Sequence, residues 1–254
     1  MTISTGWLRL LPAAFLAVAL TGCGLLPADD EPDQADIQPT SPYALDGCVR
    51  VDDGQMLSLP NIEDAPPTQG VLLGDARRAI IFAPSRDGNV CEWLSLGKDL
   101  AQRGYGVALY NHNGKTAGDQ QLASVIADVR RRGAQSVVLV GASDAACTSL
   151  MTAAAVRPSV NGVVAVSPQS RMTGPQSIAD HVRQLRVPLL FASAANDAGS
   201  SAVAARAYEQ AAPAGDKRVM VVSGSSFGVD LFSSADGATV QAAVESFFKA
   251  HSAD

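Results

Sequence analysis

A serine stands at the centre of Gly141-Ala142-Ser143-Asp144-Ala145, after the apolar run SVVLV and before the Ala-rich stretch AACTSLMTAAAV. On a tight turn between a buried strand and a helix N-terminus, its hydroxyl is held out where backbone N–H groups and the helix dipole favour negative charge. The chemistry open to such a group is attack on an acyl carbon, provided that a neighbouring base takes the hydroxyl proton. The pattern is G-x-S-x-G with Ala145 in place of the last glycine, so the turn must accept a methyl group. A serine here can equally cap the helix that follows. A carboxylate that could orient a base stands at Asn196-Asp197, and the only imidazoles are His112, His181 and His251.

Whether these groups meet depends on the elements around them. From Arg78 onward, short β-branched runs alternate with segments of helical period, the pattern of a parallel sheet covered by helices. The runs are Ala79 to Ala83, Tyr105 to Tyr110, Ser136 to Val140, Gly162 to Val166, Val187 to Ser193 and Lys217 to Ser223. Between them Trp93, Leu96 and Leu100 share one helical face, as do Leu122, Val125, Ile126 and Val129. Ahead of this, CVRV from Cys48, QMLSL from Gln55 and GVLLG from Gly70 predict extra strands in hairpin pairing at one sheet edge. Roughly twenty residues separate GVVAV from VPLLF, room for a loop and one helix over Ile178 to Leu185 but for no large lid.

In this order of elements (strand, elbow serine, strand, strand with an acid, strand with a loop before the final helix) the chain resembles the α/β-hydrolase fold family over about Gly47 to Ala250. It is most similar to small esterase and dienelactone-hydrolase-like members, whose segment after the first core strand resembles CEWLSLGKDLAQRGYGV. The resemblance implies a three-layer α/β fold: a mostly parallel sheet with helices on both faces. It also implies Ser143 as nucleophile and Asp197 as the acid that orients a histidine. That histidine belongs in a His-Gly pair after the last strand, and here GSSFGVDLF puts Phe227-Gly228 in its place. A phenyl ring cannot accept a proton. In a serine protease, loss of the base costs on the order of a millionfold in kcat.

A second departure lies after the first core strand, where family members often carry His-Gly to shape the oxyanion hole and this chain carries Pro84-Ser85. Proline has no N–H to give. Ser85 or Arg86 could supply one backbone donor and Asp144 the other, with the Asp144 carboxylate an unfavourable neighbour unless it points away. His112 and Lys115, in the loop NHNGKTAG, are the groups that could stand in as a relocated base, although at least one strand should separate that loop from Ser143. His181 and His251 read as surface residues. Without an imidazole, Asp197 reads as a cap for a helix beginning near Ser200 or Ser201.

The N-terminus carries Arg9, the apolar run LLPAAFLAVAL and then Leu20-Thr21-Gly22-Cys23. The run is short for a membrane span and reads as a secretory signal segment over residues 1–22. Its end resembles a bacterial lipobox, which implies cleavage before Cys23, lipidation of that residue and an extracytoplasmic protein held at the cell membrane. Residues 23–46 are acidic and proline-rich and read as a disordered tether. A flexible coil of that length reaches on the order of 25 Å. Residues 47–254 remain as the hydrolase-like domain.

Among the remaining thiols, Cys48 and Cys91 flank the start of the fold and read as a disulfide, with three unpaired buried thiols as the alternative. Cys147 reads as a buried inert thiol in the Ala-rich helix. A formal charge of −6 argues against nucleic acid as a partner. No cofactor motif, metal constellation or phosphate-cradling loop stands out. The partners implied are the membrane, through Cys23, and a small ester or acyl ligand; a protein partner is not indicated. Two readings follow: an α/β-hydrolase-like lipoprotein with impaired catalysis that binds or scaffolds at the cell envelope, or an active esterase-like serine hydrolase using Ser143 with a non-standard base.

Overall fold

The β-branched runs become the strands of one sheet because each carries apolar side chains on both faces and needs cover from both sides. In chain order the strands are β1 (Tyr43–Leu45), β2 (Val49–Arg50), β3 (Gln55–Leu59), β4 (Thr68–Leu73), β5 (Arg78–Ala83), β6 (Gly106–Tyr110), β7 (Ser136–Ala142), β8 (Gly162–Val166), β9 (Leu189–Ala194) and β10 (Lys217–Val222). The helices are α1 (Leu94–Gln102), α2 (Gly118–Arg131), α3 (Asp144–Ala155), α4 (Ile178–Val182), α5 (Ser201–Ala211) and α6 (Gly237–His251). The computed structural model describes residues 43–60, 65–170, 177–199 and 201–252. The signal segment, Cys23 and the tether up to residue 42 lie outside them.

Eight strands stand in the order β10-β9-β8-β7-β5-β6-β4-β3. Neighbours from β10 to β6 are parallel, whereas β4 pairs antiparallel with both β6 and β3. The chain leaves β5 for β6 on one side and returns to β7 on the other, so the strand order reverses beside β5. In open parallel sheets such a reversal leaves a crevice at the carboxyl ends of the strands. Ser143, Ser85 and His112 all follow strands that end there.

Alternate side chains of the strands build two cores. One, around Ile81, Leu139, Phe191 and the apolar faces of α2, α3, α4 and α5, covers one face of the sheet. The other, around Phe82, Val140, Leu190, α1 and α6, covers the opposite face. The layers are therefore helix, sheet, helix, with no inserted lid among the described residues.

Four expectations need correction. Val49–Arg50 does not join the main sheet; it pairs with Tyr43–Leu45 in a separate two-stranded ribbon. The expected tether therefore gives way to folded chain before residue 46, because Leu45 packs against the core that contains Val49. The helix expected to reach Leu185 ends as α4 at Val182. His251 is not a solvated tail residue: α6 extends to it, its ring lies 4.5 Å from that of Phe247, and its Nε2 is 3.0 Å from Asp216 Oδ2.

Cys48 and Cys91 are joined by a disulfide across a sequence separation of 43 residues. The bridge ties the β1–β2 ribbon to the loop after β5. Beside it, Asn111 donates to Asp46 Oδ2 and accepts from the Val90 N–H, so this loop, the ribbon and the end of β6 are held as one unit. Cys147 is free and buried.

Candidate functional site

β7 runs to Ala142 and α3 begins at Asp144, which leaves Ser143 alone to turn the chain, at φ 59° and ψ −120°. Positive φ is uncommon for a residue with a Cβ and costs of order 1–3 kcal/mol unless its surroundings hold it. They do: the Ser143 N–H donates to Val166 O at 2.9 Å, and α3 is packed into the core behind it. The turn is tight enough that a Cβ on Gly141 would lie 2.2 Å from Ala145 O, which explains the first glycine of the motif. The position of the last glycine tolerates Ala145, whose methyl group is buried in the core shared with α2.

The Ser143 hydroxyl oxygen accepts a hydrogen bond from Gln169 Nε2 at 2.9 Å. Gln169 follows β8 and its backbone is anchored, the main-chain carbonyl accepting from the Tyr208 hydroxyl at 2.7 Å and from the Cys147 thiol at 3.4 Å. Burial pushes that thiol up to about 11 and that phenol up to about 12, so both donors stay protonated at neutral pH. The scaffold thus fixes the backbone that carries the side-chain amide, and that amide has no capacity to take a proton from Ser143.

Asp197 is buried, and its carboxylate accepts from the backbone N–H and the hydroxyl of Ser201 at the start of α5. This is the capping role. The ring of Phe227 reaches the same spot, since a Cβ on Gly199 would lie 2.9 Å from Phe227 Cε2 and 3.5 Å from Asp197 Oδ1. The loop after β10 is further tied to the loop after β8 by the Gly228 N–H, which donates to the fully buried Ser167 hydroxyl at 3.0 Å. The fold therefore brings Phe227 beside Asp197, where the resemblance led one to expect an imidazole.

The expected oxyanion donor at Ser85 is already occupied. Its N–H donates to Glu92 Oε2 at 3.0 Å and its hydroxyl lies 3.2 Å from the same oxygen. A carboxylate reaches this N–H because a 3-10 turn over Val90–Glu92 brings the side chain back over the end of β5. Burial raises the Glu92 carboxyl above its usual range; the bonds from Ser85 oppose this and the charge of Asp144 adds to it. Asp144 in turn has Arg86 Nε 3.8 Å from its Oδ2. As an N-terminal residue of α3 it retains a backbone N–H with no helical acceptor.

Neither proposed stand-in base bonds to Ser143. His112 Nδ1 accepts from the Gly114 N–H at 3.1 Å, and the Lys115 side-chain amine makes no hydrogen bond to Ser143 among the described residues; only its backbone N–H is engaged, with Asn113 Oδ1. His112 instead lines a cleft of about 310 Å³ with Pro84, Arg86, Tyr110, Thr116 and Asp144. His181 lies on α4 and His251 at the end of α6.

No family model matches the sequence, and no curated protein matches it either. Solved structures do match. That of DcsB in complex with its substrate analogue is 13% identical, covering 79% of this chain and 99% of that one at a TM-score of 0.68. Est1E from Butyrivibrio proteoclasticus is 11% identical over 77% and 98% of the two chains, with a TM-score of 0.64. A monoacylglycerol lipase from Paleococcus ferrophilus is 14% identical over 72% and 99%, with a TM-score of 0.61. This chain has the α/β-hydrolase fold.

Within that α/β-hydrolase fold, the structure gathers Ser143, Ser85 and Asp144 at one sheet end and places Phe227 with Asp197. It adds two side chains that sequence reasoning had not weighed, Gln169 and Glu92. Gln169 sits three residues beyond β8, at the same end of the sheet as the elbow, and that position was its only signal. Glu92 carried none, because its reach to Ser85 depends on the turn between them.

Proposed function

We propose that this chain is a lipid-anchored protein of the bacterial envelope whose α/β-hydrolase fold binds a small ligand without hydrolysing it. The observation that carries the reading is the bond from Gln169 Nε2 to Ser143 Oγ. Serine becomes a nucleophile only if its proton has somewhere to go, and an amide N–H offers no acceptor. Three further observations support it: Phe227 beside Asp197, Asp197 committed to Ser201, and the Ser85 N–H committed to Glu92. Each removes a part that acyl transfer needs, and a carboxylate in the oxyanion region opposes the charge that would develop there.

The anchor rests on Leu20-Thr21-Gly22-Cys23 and the acidic stretch that follows. Fractionation of cells that express the full chain tests it. Wild type belongs with the membranes, with its chain beginning at a lipid-bearing Cys23, whereas Cys23→Ser should carry no lipid; a wild type in the soluble fraction, or one without lipid at Cys23, contradicts the anchor. Hydrolysis of p-nitrophenyl butyrate tests the loss of catalysis. The wild-type rate should match that of Ser143→Ala, and a wild-type rate 100-fold or more above it would establish an active serine hydrolase with a non-standard base.

A further inference from the structure

The cleft beside the elbow has a wall chemistry that selects among ligands. Among its lining residues is Tyr110, only 3% exposed, whose hydroxyl makes no hydrogen bond among the described residues. Burial holds the phenol far above its usual range, so it stays a neutral donor and acceptor. Thr116, 7% exposed, accepts from Asn113 Nδ2 at 2.9 Å, which leaves its own hydroxyl proton free to donate. His112 accepts at Nδ1, so its ring proton sits on Nε2 and makes that nitrogen a donor. The first turn of α2, beginning at Gly118, adds backbone N–H groups without helical acceptors.

Charge bears on the ligand class. Arg86 and Asp144 lie 3.8 Å apart and largely offset one another's charge, so as a pair they favour neither an anion nor a cation over a neutral ligand. A long acyl chain would bury hydroxyls and N–H groups against methylenes, each left without a partner at a cost of about 1–3 kcal/mol. A neutral ligand with many hydroxyl groups meets every condition, since each hydroxyl can donate to Asp144 or Tyr110 and accept from Thr116, His112 or an α2 N–H. We infer that this cleft, lined by Arg86, Tyr110, His112, Thr116, Gly118 and Asp144, is a binding site for a neutral polyhydroxylated ligand of about one sugar ring. The volume of about 310 Å³ suits that size. This deepens the binding reading above by naming its ligand class.

Saturation-transfer NMR on the full chain tests it, with methyl glucoside, methyl N-acetylglucosaminide and myo-inositol as neutral probes, and inorganic phosphate, tetramethylammonium and butyrate as competitors. At least one neutral probe should receive saturation and keep it when the competitors are added at equal concentration. Tyr110→Phe and Thr116→Val should each weaken that binding about 5-fold, the worth of one hydrogen bond. Overturning results are no transfer to any neutral probe, displacement by phosphate, tetramethylammonium or butyrate, or unchanged binding in both variants. Esterase activity that depends on Ser143 would overturn the non-catalytic reading and leave this ligand class standing; absence of sugar binding in an inactive protein would overturn the ligand class alone.

Discussion

Gln169 donates its side-chain amide to the Ser143 hydroxyl oxygen across 2.9 Å, from 26 residues further along the chain. If this bond merely masked a base already present, releasing it would restore catalysis. Gln169→Ala alone should therefore leave p-nitrophenyl butyrate hydrolysis at the Ser143→Ala level. Adding Phe227→His supplies the missing acceptor beside Asp197 and should raise the rate by 100-fold or more, within the usual contribution of a positioned general base of about 10²–10⁴. A rise with Gln169→Ala alone would mean that another residue already does that work.

Asp197 accepts two hydrogen bonds from Ser201 in a buried setting, so its value to the protein is structural. Asp197→Ala should lower the free energy of unfolding by about 2–3 kcal/mol, since hydrogen bonds to a charged group are the stronger kind and the Ser201 donors are left unpaired. Urea denaturation followed by circular dichroism reads this directly. A loss under about 0.5 kcal/mol would show that water replaces the carboxylate without penalty.

Glu92 gives the fold a pH dependence of known sign. Burial raises its carboxyl in the folded state, partly offset by Ser85 and reinforced by Asp144. The folded chain then holds this proton more tightly than the unfolded chain, so its contribution favours folding at low pH. That contribution is lost as pH rises from the ordinary glutamate value through the raised one. Glu92→Gln keeps an acceptor for the Ser85 N–H and does not ionise. Its stability relative to wild type should rise across that window and level off above it, as thermal melts at stepped pH would show. A flat difference would remove Glu92 as the source.

The Cys48–Cys91 bridge closes a span of 43 residues. Chain entropy alone assigns such a loop roughly 4 kcal/mol. Cys48→Ser with Cys91→Ser should approach that loss in a denaturant titration. It should also free the loop around Val90, seen as faster amide exchange at Val90 and Glu92 than at Leu139. Unchanged exchange there would show that the Asn111 bonds suffice to hold the loop.

The sheet was legible because AIIFA, SVVLV and GVVAV are apolar on both faces, and the elbow because Gly141 and Ser143 stand directly after one such run. Asp197 as a cap was legible too, from the short distance to Ser201. The groups that engage Ser143 and Ser85 were not: an amide 26 residues on and a carboxylate carried back by a 3-10 turn leave no periodicity in the chain. Of the β1–β2 ribbon only the strand within CVRV was legible, and it was expected at the edge of the main sheet. The ribbon's strands are three and two residues long, too short for any alternating pattern, and they are held by the disulfide and by Asp46.

The central claim, that Ser143 is not activated, is tested most directly by exposing the full chain to a fluorophosphonate probe and reading intact mass. The account predicts no adduct in wild type above that in Ser143→Ala over an hour, and an adduct on Ser143 once Phe227→His and Gln169→Ala are combined. Rapid one-to-one labelling of the wild-type chain that vanishes in Ser143→Ala would contradict it.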